Sequence, residues 1–545
     1  MARKNILFIM CDQLRHDYLG CTGHPTIKTP NIDRLAARGV NFANTFCQSP
    51  ICGPSRASVY TGRYPTCNGA MSNFTPLRVG EKNIGHHLNG LGVRTVLVGK
   101  SHVVPDKEGM SRLGIDLDSA IGRHLAQGGF EIVERDDGIH PDTMVRPDLP
   151  YNQYLKEKGY TEDPNPWHWA ANSVDVDNGV RSGWFNDEVD RPARVEDEHS
   201  ETPYMTRRAM DFLAEDDGET PWLLHLSYIK PHWPYVAPAP YHDMYSADDV
   251  IAANKSEAEL EDPNPLAKLF MNRVAGKTFS REEAREKVIP AYMGLITQID
   301  DQLGILFDFM EKRGLMDNTM IVFTADHGDY LGDHWMGDKD YFHDASVKVP
   351  LIVVDPDKAA DVTRGTVDDA RVELVDMIPT FMDFHGGDIP QHILDGRSLL
   401  PLLHGKEVEW RDFNVSEYDY SCQVFRPTTG RAALDCRSYM IATNDWKYIH
   451  APGYPPVLFD LKNDPNELND LGRSDDHADI RQQMFNRLAE WSLQYRQRET
   501  WTEGRNDEMT GVEEQLGVLI GYWNEADAAG KDPKILPVRK PIAEG

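Results

Sequence analysis

Short β-rich apolar runs alternate with helix-patterned stretches through much of residues 1–400. Runs at 5–10, 93–98, 222–228, 319–324 and 350–354 read as strands, and stretches at 31–39, 206–215, 291–312 and 372–384 read as helices. This rhythm predicts an α/β domain over residues 1–410, built on a large, mostly parallel central sheet flanked by helices. Ligands of such sheets gather beyond the carboxyl ends of the strands. The residues that directly follow each run are therefore the first place to look for chemistry.

Other segments break the rhythm. Residues of about 104–200 are acidic and polar, yet carry Tyr151, Trp167, Trp169 and Trp184. They read as a long irregular insertion whose aromatics form a pocket wall or lid, or simply pack on the surface. From residue 411 to 500 the pattern becomes a hairpin (439–443 and 446–450), a further apolar run at 458–461 and a helix at 475–497. That pattern predicts a smaller subdomain with an antiparallel sheet and a helix. Residues 501–545 read as an arm that contacts a neighbouring subunit in a homo-oligomer.

Composition narrows the partners. Lys and Arg number 57 against 87 Asp and Glu, a net charge of −30. Such a chain repels nucleic acid and anionic membranes, and its apolar runs are too short to span a bilayer. The first apolar run is also too short for an export signal, and the seven cysteines show no paired spacing. Both features predict a cytoplasmic protein with reduced thiols. An anionic substrate would need a local cluster of cations.

Cys52-Gly53-Pro54-Ser55-Arg56 is the segment richest in chemistry. A lone cysteine is most often a small buried apolar residue. Here Pro54 suits a first helical turn, which places Cys52 near a helix N-terminus where an anion is stabilised. Arg56 adds a permanent cation one turn on. Asp12-Gln13 directly follows the first strand and Asp326-His327 follows another. Two carboxylates, an amide oxygen and an imidazole converging from two strand ends form a site for one divalent metal ion, with Ca²⁺ placed ahead of Mn²⁺.

The five residues at 52–56 resemble the Cys-x-Pro-Ser-Arg motif of the type I sulfatases, in the alkaline phosphatase superfamily. Gly99-Lys100-Ser101-His102, Lys230-Pro231-His232-Trp233-Pro234 and Lys339 resemble further segments of that family, in order. The stretch around Leu458-Phe459-Asp460-Leu461 resembles its C-terminal subdomain. The resemblance implies an alkaline-phosphatase-like fold and an arylsulfatase-like sulfuric ester hydrolase. It also implies that a maturation enzyme oxidises Cys52 to formylglycine, which joins Asp12, Gln13, Asp326 and His327 at the metal. One hydroxyl of the aldehyde hydrate would attack sulfur. Arg56, Lys100 and Lys339 would bind the non-bridging oxygens, with Asn73 as a hydrogen-bond donor. His232, with Lys339, would serve the leaving alkoxide. His102 would take the proton that lets sulfate depart by C–O cleavage.

One alternative stays within hydrolases. Gln13, Asn73 and the Asp326-His327 pair resemble the phosphonate monoester hydrolase branch, whereas Lys100 and His102 follow the sulfatase pattern. Sulfate monoesters are thus the first expectation, with phosphonate monoesters or phosphodiesters as alternative or additional substrates of the same site. A transferase or mutase of the superfamily would carry serine or threonine in place of Cys52. A non-catalytic, metal-binding interaction protein is the remaining class.

Overall fold

A computed structural model describes residues 3–494, apart from 147, 162–164, 176 and 178, and residues 502–531. Residues 1–389 with 394–495 form one compact unit, and 390–393 with 496–545 form a second.

The large sheet of the first unit has eight strands: β1 (Asn5–Asp12), β2 (Val40–Phe46), β3 (Arg94–Gly99), β4 (Glu131–Arg135), β5 (Trp222–Pro231), β6 (Thr319–Ala325), β7 (Leu351–Val354) and β8 (Thr366–Glu373). Their spatial order is β8-β2-β7-β6-β1-β5-β3-β4. All neighbours run parallel except β7, which is antiparallel to both β2 and β6. β1 lies between β6 and β5, with Ile6 opposite Met320 and Leu223. All residues of β1, β5 and β6 are buried, as expected for strands covered on both faces.

The main helices are α1 (Cys52–Thr61), α2 (Glu201–Ala214), α3 (Glu282–Lys312) and α4 (Ala478–Leu493). α3 packs on α2 and on β5, while α1 packs on the Met377–Phe384 helix. Among the described residues no helix is long and apolar enough to cross a membrane. The cysteines are all free thiols.

A smaller antiparallel sheet follows, of β9 (Asn414–Asp419), β10 (Arg437–Ala442), β11 (Trp446–His450) and β12 (Val457–Asp460). α4 places Met484 and Leu488 against Ile441, Tyr448 and Leu458 of this sheet. Lys447 of β11 is fully buried and pairs with Asp344 at 2.6 Å and Glu467 at 2.5 Å. These contacts tie the small sheet to the loop that follows Lys339. In the second unit, the described residues 502–531 form short helices, with Leu516, Ile520 and Trp523 exposed.

Three strands depart from the sequence expectation. β4 lies inside the segment read as an irregular insertion, yet it completes one edge of the large sheet. β2 and β8 pair with each other at the opposite end. The helix expected at 372–384 starts only at Met377, because residues 372–373 belong to β8.

Gly99 closes β3 at φ 107°. A Cβ there would lie 2.0 Å from the Ser227 carbonyl oxygen of β5. Both the left-handed backbone and the strand contact exclude a side chain. Gly99→Ala is therefore expected to destabilise the fold by about 3 kcal/mol or more, measured by urea unfolding. An unchanged unfolding midpoint would contradict this packing.

Candidate active site

The strand ends deliver the expected groups to one place. Asp12 closes β1, Lys100 follows β3, His232 follows β5, and Asp326-His327 follow β6. α1 begins at Cys52 and is buried at all ten positions. Its first turn is fixed from two sides. The Gly53 N–H donates to Asn73 Oδ1 at 2.8 Å, and Ser55 Oγ donates to the Asp326 carbonyl at 2.6 Å.

Cys52 Sγ lies 3.1 Å from His327 Nε2, 3.3 Å from Lys339 Nζ and 3.5 Å from Asp12 Oδ1. Burial opposes ionisation of this thiol. Lys100, Lys339, His327 and a hydrogen bond from His102 outweigh it and hold the pKa well below the ordinary thiol value. The position thus stabilises one negative charge where a nucleophile or anionic ester would stand.

Asp12, Cys52, Asp326 and His327 each turn one ligating atom into a space where those atoms lie within 4.8 Å of one another. His327 Nε2 is 3.7 Å from a carboxylate oxygen of both Asp12 and Asp326. His327 Nδ1 donates to the Gly328 carbonyl at 2.9 Å, which fixes the ring with Nε2 facing the cluster. Burial works against charge on His327, yet Asp326 and Cys52 push its pKa up to about 9. The cluster's field favours a cation at this point. Gln13 Oε1 and Cys52 Sγ share the Lys339 ammonium, at 2.9 and 3.3 Å, so the amide oxygen faces the same space. Two carboxylates, an amide oxygen and an imidazole are a donor set that fits a divalent metal ion.

Behind the cluster sits Arg56, with no solvent exposure. Its Nε donates to Asp326 Oδ2 at 2.7 Å, and Nη1 donates to Ser227 Oγ at 2.7 Å and to the Lys100 carbonyl at 2.9 Å. Nη2 lies 3.6 Å from Asp12. The sequence reading placed Arg56 on a substrate oxygen. Its Nε and Nη1 donors are instead directed to Asp326, Ser227 and the Lys100 carbonyl, while Nη2 faces Asp12 without a hydrogen bond among the described residues. Lys100 Nζ also pairs with Asp12. Burial and the Cys52 charge oppose ionisation of Asp12, but the Lys100 and Arg56 cations bring its pKa to about 2.

His232 and His102 complete this arrangement. His232 Nδ1 donates to the Trp233 carbonyl at 2.7 Å, and Nε2 lies 2.9 Å from Lys339 Nζ. Burial and the Lys339 charge lower the His232 pKa, so the neutral imidazole accepts from the lysine. His102 has a left-handed backbone, φ 55°, whose N–H donates to Asp137 Oδ1 at 2.9 Å. Its Nδ1 is buried with no hydrogen-bond partner among the described residues.

Several residues that support Gln13 and His102 escaped the sequence reading. Gln13 has φ 64°, a strained value for a side-chain-bearing residue. Its backbone is held by Asp326 Oδ1 at 3.0 Å and the Tyr292 hydroxyl at 2.8 Å. Its amide nitrogen donates to Asp329 at 2.6 Å and Asp338 at 3.2 Å. Burial and Asp338 push Asp329 up to about 6. Asp137, whose Oδ2 accepts from Nε and Nη2 of Arg135, takes the N–H groups of both Ser101 and His102 on Oδ1. The one signal in sequence is adjacency: Asp338 precedes Lys339, and Asp329 lies two residues after His327.

The insertion aromatics divide. Trp167 is buried and donates to Glu201 of α2 at 2.9 Å. Trp169 stacks under Arg194 at 4.0 Å. Trp184 packs against Trp233, next to His232, with ring centroids 5.5 Å apart.

Comparison with known proteins shows the family. The chain matches the family model described as Sulfatase over residues 4–387, and the one described as N-sulphoglucosamine sulphohydrolase, C-terminal, over residues 332–494. It is 32% identical over 522 residues to the multifunctional alkaline phosphatase superfamily protein PehA of Trinickia caryophylli, covering 91% of this chain and 97% of that protein. It is 29% identical over 482 residues to an arylsulfatase of Clostridium perfringens, covering 88% and 92%. The crystal structure of the phosphonate monoester hydrolase of Agrobacterium radiobacter superposes with a TM-score of 0.77 at 28% identity, covering 90% of this chain and 96% of that one. With its alkaline-phosphatase-like sheet and its strand-end cluster around Cys52, the chain belongs to the sulfatase family, hydrolases of sulfuric esters.

Proposed function

We propose that this protein hydrolyses sulfate monoesters of aryl-type alcohols, using a formylglycine made from Cys52 and one divalent metal ion. The observation that carries the proposal is the placement of Cys52 at a helix N-terminus with Lys100, Lys339, His327 and His102 acting on one buried anionic position. Asp12, Gln13, Asp326 and His327 would hold the metal, which would supply Lewis-acid activation of the nucleophile.

The chain's own residues supply the rest. Lys339 faces Cys52 directly, and burial against charge on this ammonium is overcome by Cys52, Asp338 and Asp12. It stays protonated and binds an anionic ester oxygen. Lys100 adds a second fixed cation, raised above its ordinary value by Asp12 and Cys52 against its burial. Such preorganised charges stabilise the transition state without reorganising. His232, sharing the Lys339 proton, stands where a leaving alkoxide would collect it. His102 presents a polar ring at the position of Cys52 and serves as the base that empties the site.

Phosphonate monoesters and phosphodiesters form a second substrate class for the same groups. They carry the same single negative charge as a sulfate monoester. The superposition on a phosphonate monoester hydrolase supports this reading, and so does Gln13 in the metal set.

An aryl sulfate and an aryl phosphonate monoester with the same leaving group separate the two. We expect a higher kcat/KM for the sulfate, loss of both activities in Cys52→Ala, and a fall of about 100-fold or more in Lys100→Ala. A phosphonate preference would reverse the ranking of substrates. Retained turnover in Cys52→Ala would remove the nucleophile.

The metal is tested separately. Chelator-treated protein titrated calorimetrically with Ca²⁺ and with Mn²⁺ is expected to bind one equivalent, with Ca²⁺ preferred for its oxygen-rich set. Asp326→Asn is expected to weaken that binding by about tenfold or more. Equal affinity in the variant would contradict the assigned ligands.

A further inference from the structure

A cavity of about 900 Å³ opens between the insertion and the Val274–Phe279 helix, lined by Trp233 and Asp338, the chain neighbours of His232 and Lys339. Its wall includes Trp184, Phe185, Trp233, Val274, Phe279 and Asp338. Resting on the sulfate-ester reading above, we propose that this cavity receives the leaving alcohol and selects a flat, uncharged aromatic group over a polyanionic saccharide.

Continuity with the chemistry comes first. Trp233 follows His232, and their ring centroids are 4.8 Å apart. Trp233 Nε1 lies 3.4 Å from Asp338 Oδ1, which also accepts from Gln13. From His232 the path to the nucleophile is short: 2.9 Å to Lys339 Nζ, then 3.3 Å to Cys52 Sγ. The cavity wall therefore includes the direct neighbours of His232 and Lys339, the two groups that would meet the departing oxygen.

The wall chemistry is aromatic. Trp184 meets Trp233 edge to face at an interplanar angle of 68°, and Trp167 backs Trp184 with ring centroids 5.9 Å apart. Phe185 and Val274 are 66% and 82% exposed. Large apolar side chains left uncovered around a concave site mark a place for an apolar ligand. A cavity of this volume accommodates more than one ring.

The charges around it disfavour a polyanion. The lining cations are already engaged: Lys287 donates to the Asp187 carbonyl at 2.9 Å and pairs with Asp190 at 3.2 Å, and Arg281 pairs with Glu283 at 3.6 Å. Asp187, Glu283 and Asp338 outnumber Arg281 and Lys287 in the lining. A saccharide bearing further sulfates would bring anions to a site with net negative charge. A neutral ring would lose no hydrogen bonds on entry and would stack on Trp184 and Trp233.

The test uses the intact protein. Steady-state kinetics compare 2-naphthyl sulfate, phenyl sulfate and a glucosamine carrying two sulfates. Calorimetry measures 2-naphthol binding independently of turnover. We expect the naphthyl ester to exceed the phenyl ester in kcat/KM by about tenfold, and the disulfated sugar to be the poorest substrate. Trp184→Ala should collapse the naphthyl-to-phenyl ratio and weaken 2-naphthol binding, while Trp184→Phe retains most of both. An unchanged ratio and unchanged 2-naphthol affinity in Trp184→Ala would overturn the subsite, as would a preference for the disulfated sugar. Should none of the sulfate esters turn over, the proposed reaction falls, and the 2-naphthol measurement alone still decides the subsite.

Discussion

The buried pairing of Arg56 with Asp326 and Asp12 is the interaction on which the site depends. Two carboxylates are brought together below the surface, along with a thiol position that favours negative charge. Left alone, such groups would take up protons or push apart. Arg56 prevents this from behind, and Lys100 prevents it from the flank. Because Arg56 is on the second turn of the helix that begins at Cys52, the same residue fixes the nucleophile relative to β1 and β6. Removing one partner of such a buried set leaves an uncompensated charge, a loss of several kcal/mol.

This arrangement also explains how a chain of net charge −30 can attract an anion. The cations are not spread over the surface. Lys100 and Lys339 are almost fully buried around a single point, where low dielectric strengthens each interaction. Strained backbones at Gln13, His102 and Asp338, with φ of 64°, 55° and 65°, surround the same point. Their neighbours hold them there: Asp326 and Tyr292 for Gln13, Asp137 for His102. The fold thus stores conformational cost beside the chemistry, a frequent property of functional sites.

Much of this was legible in the sequence because apolar strands ended in polar residues. Asp12, Lys100, His232 and Asp326 each follow such a run, and parallel sheets collect those ends. β2 was hidden because Asn41, Asn44 and Thr45 break its apolar pattern, and β8 because edge strands carry charge, here Asp368 and Asp369. β4 was missed inside a polar, acidic stretch. Asp137, Asp329 and Asp338 could not be separated from other loop carboxylates in so acidic a chain, since their role appears only when distant loops meet. Arg56 was found, but its direction was not: one-dimensional spacing placed it near an anion without saying whether that anion was substrate or protein.

The central claim is that Cys52 stands in for a nucleophile that no codon specifies. Mass spectrometry of the peptide spanning Cys52, from protein produced alongside a maturation enzyme and shown to be active, tests it most directly. The account predicts the mass of the aldehyde or its hydrate at that position, and trapping by a hydrazine reagent. An intact, alkylatable thiol in fully active protein would contradict it.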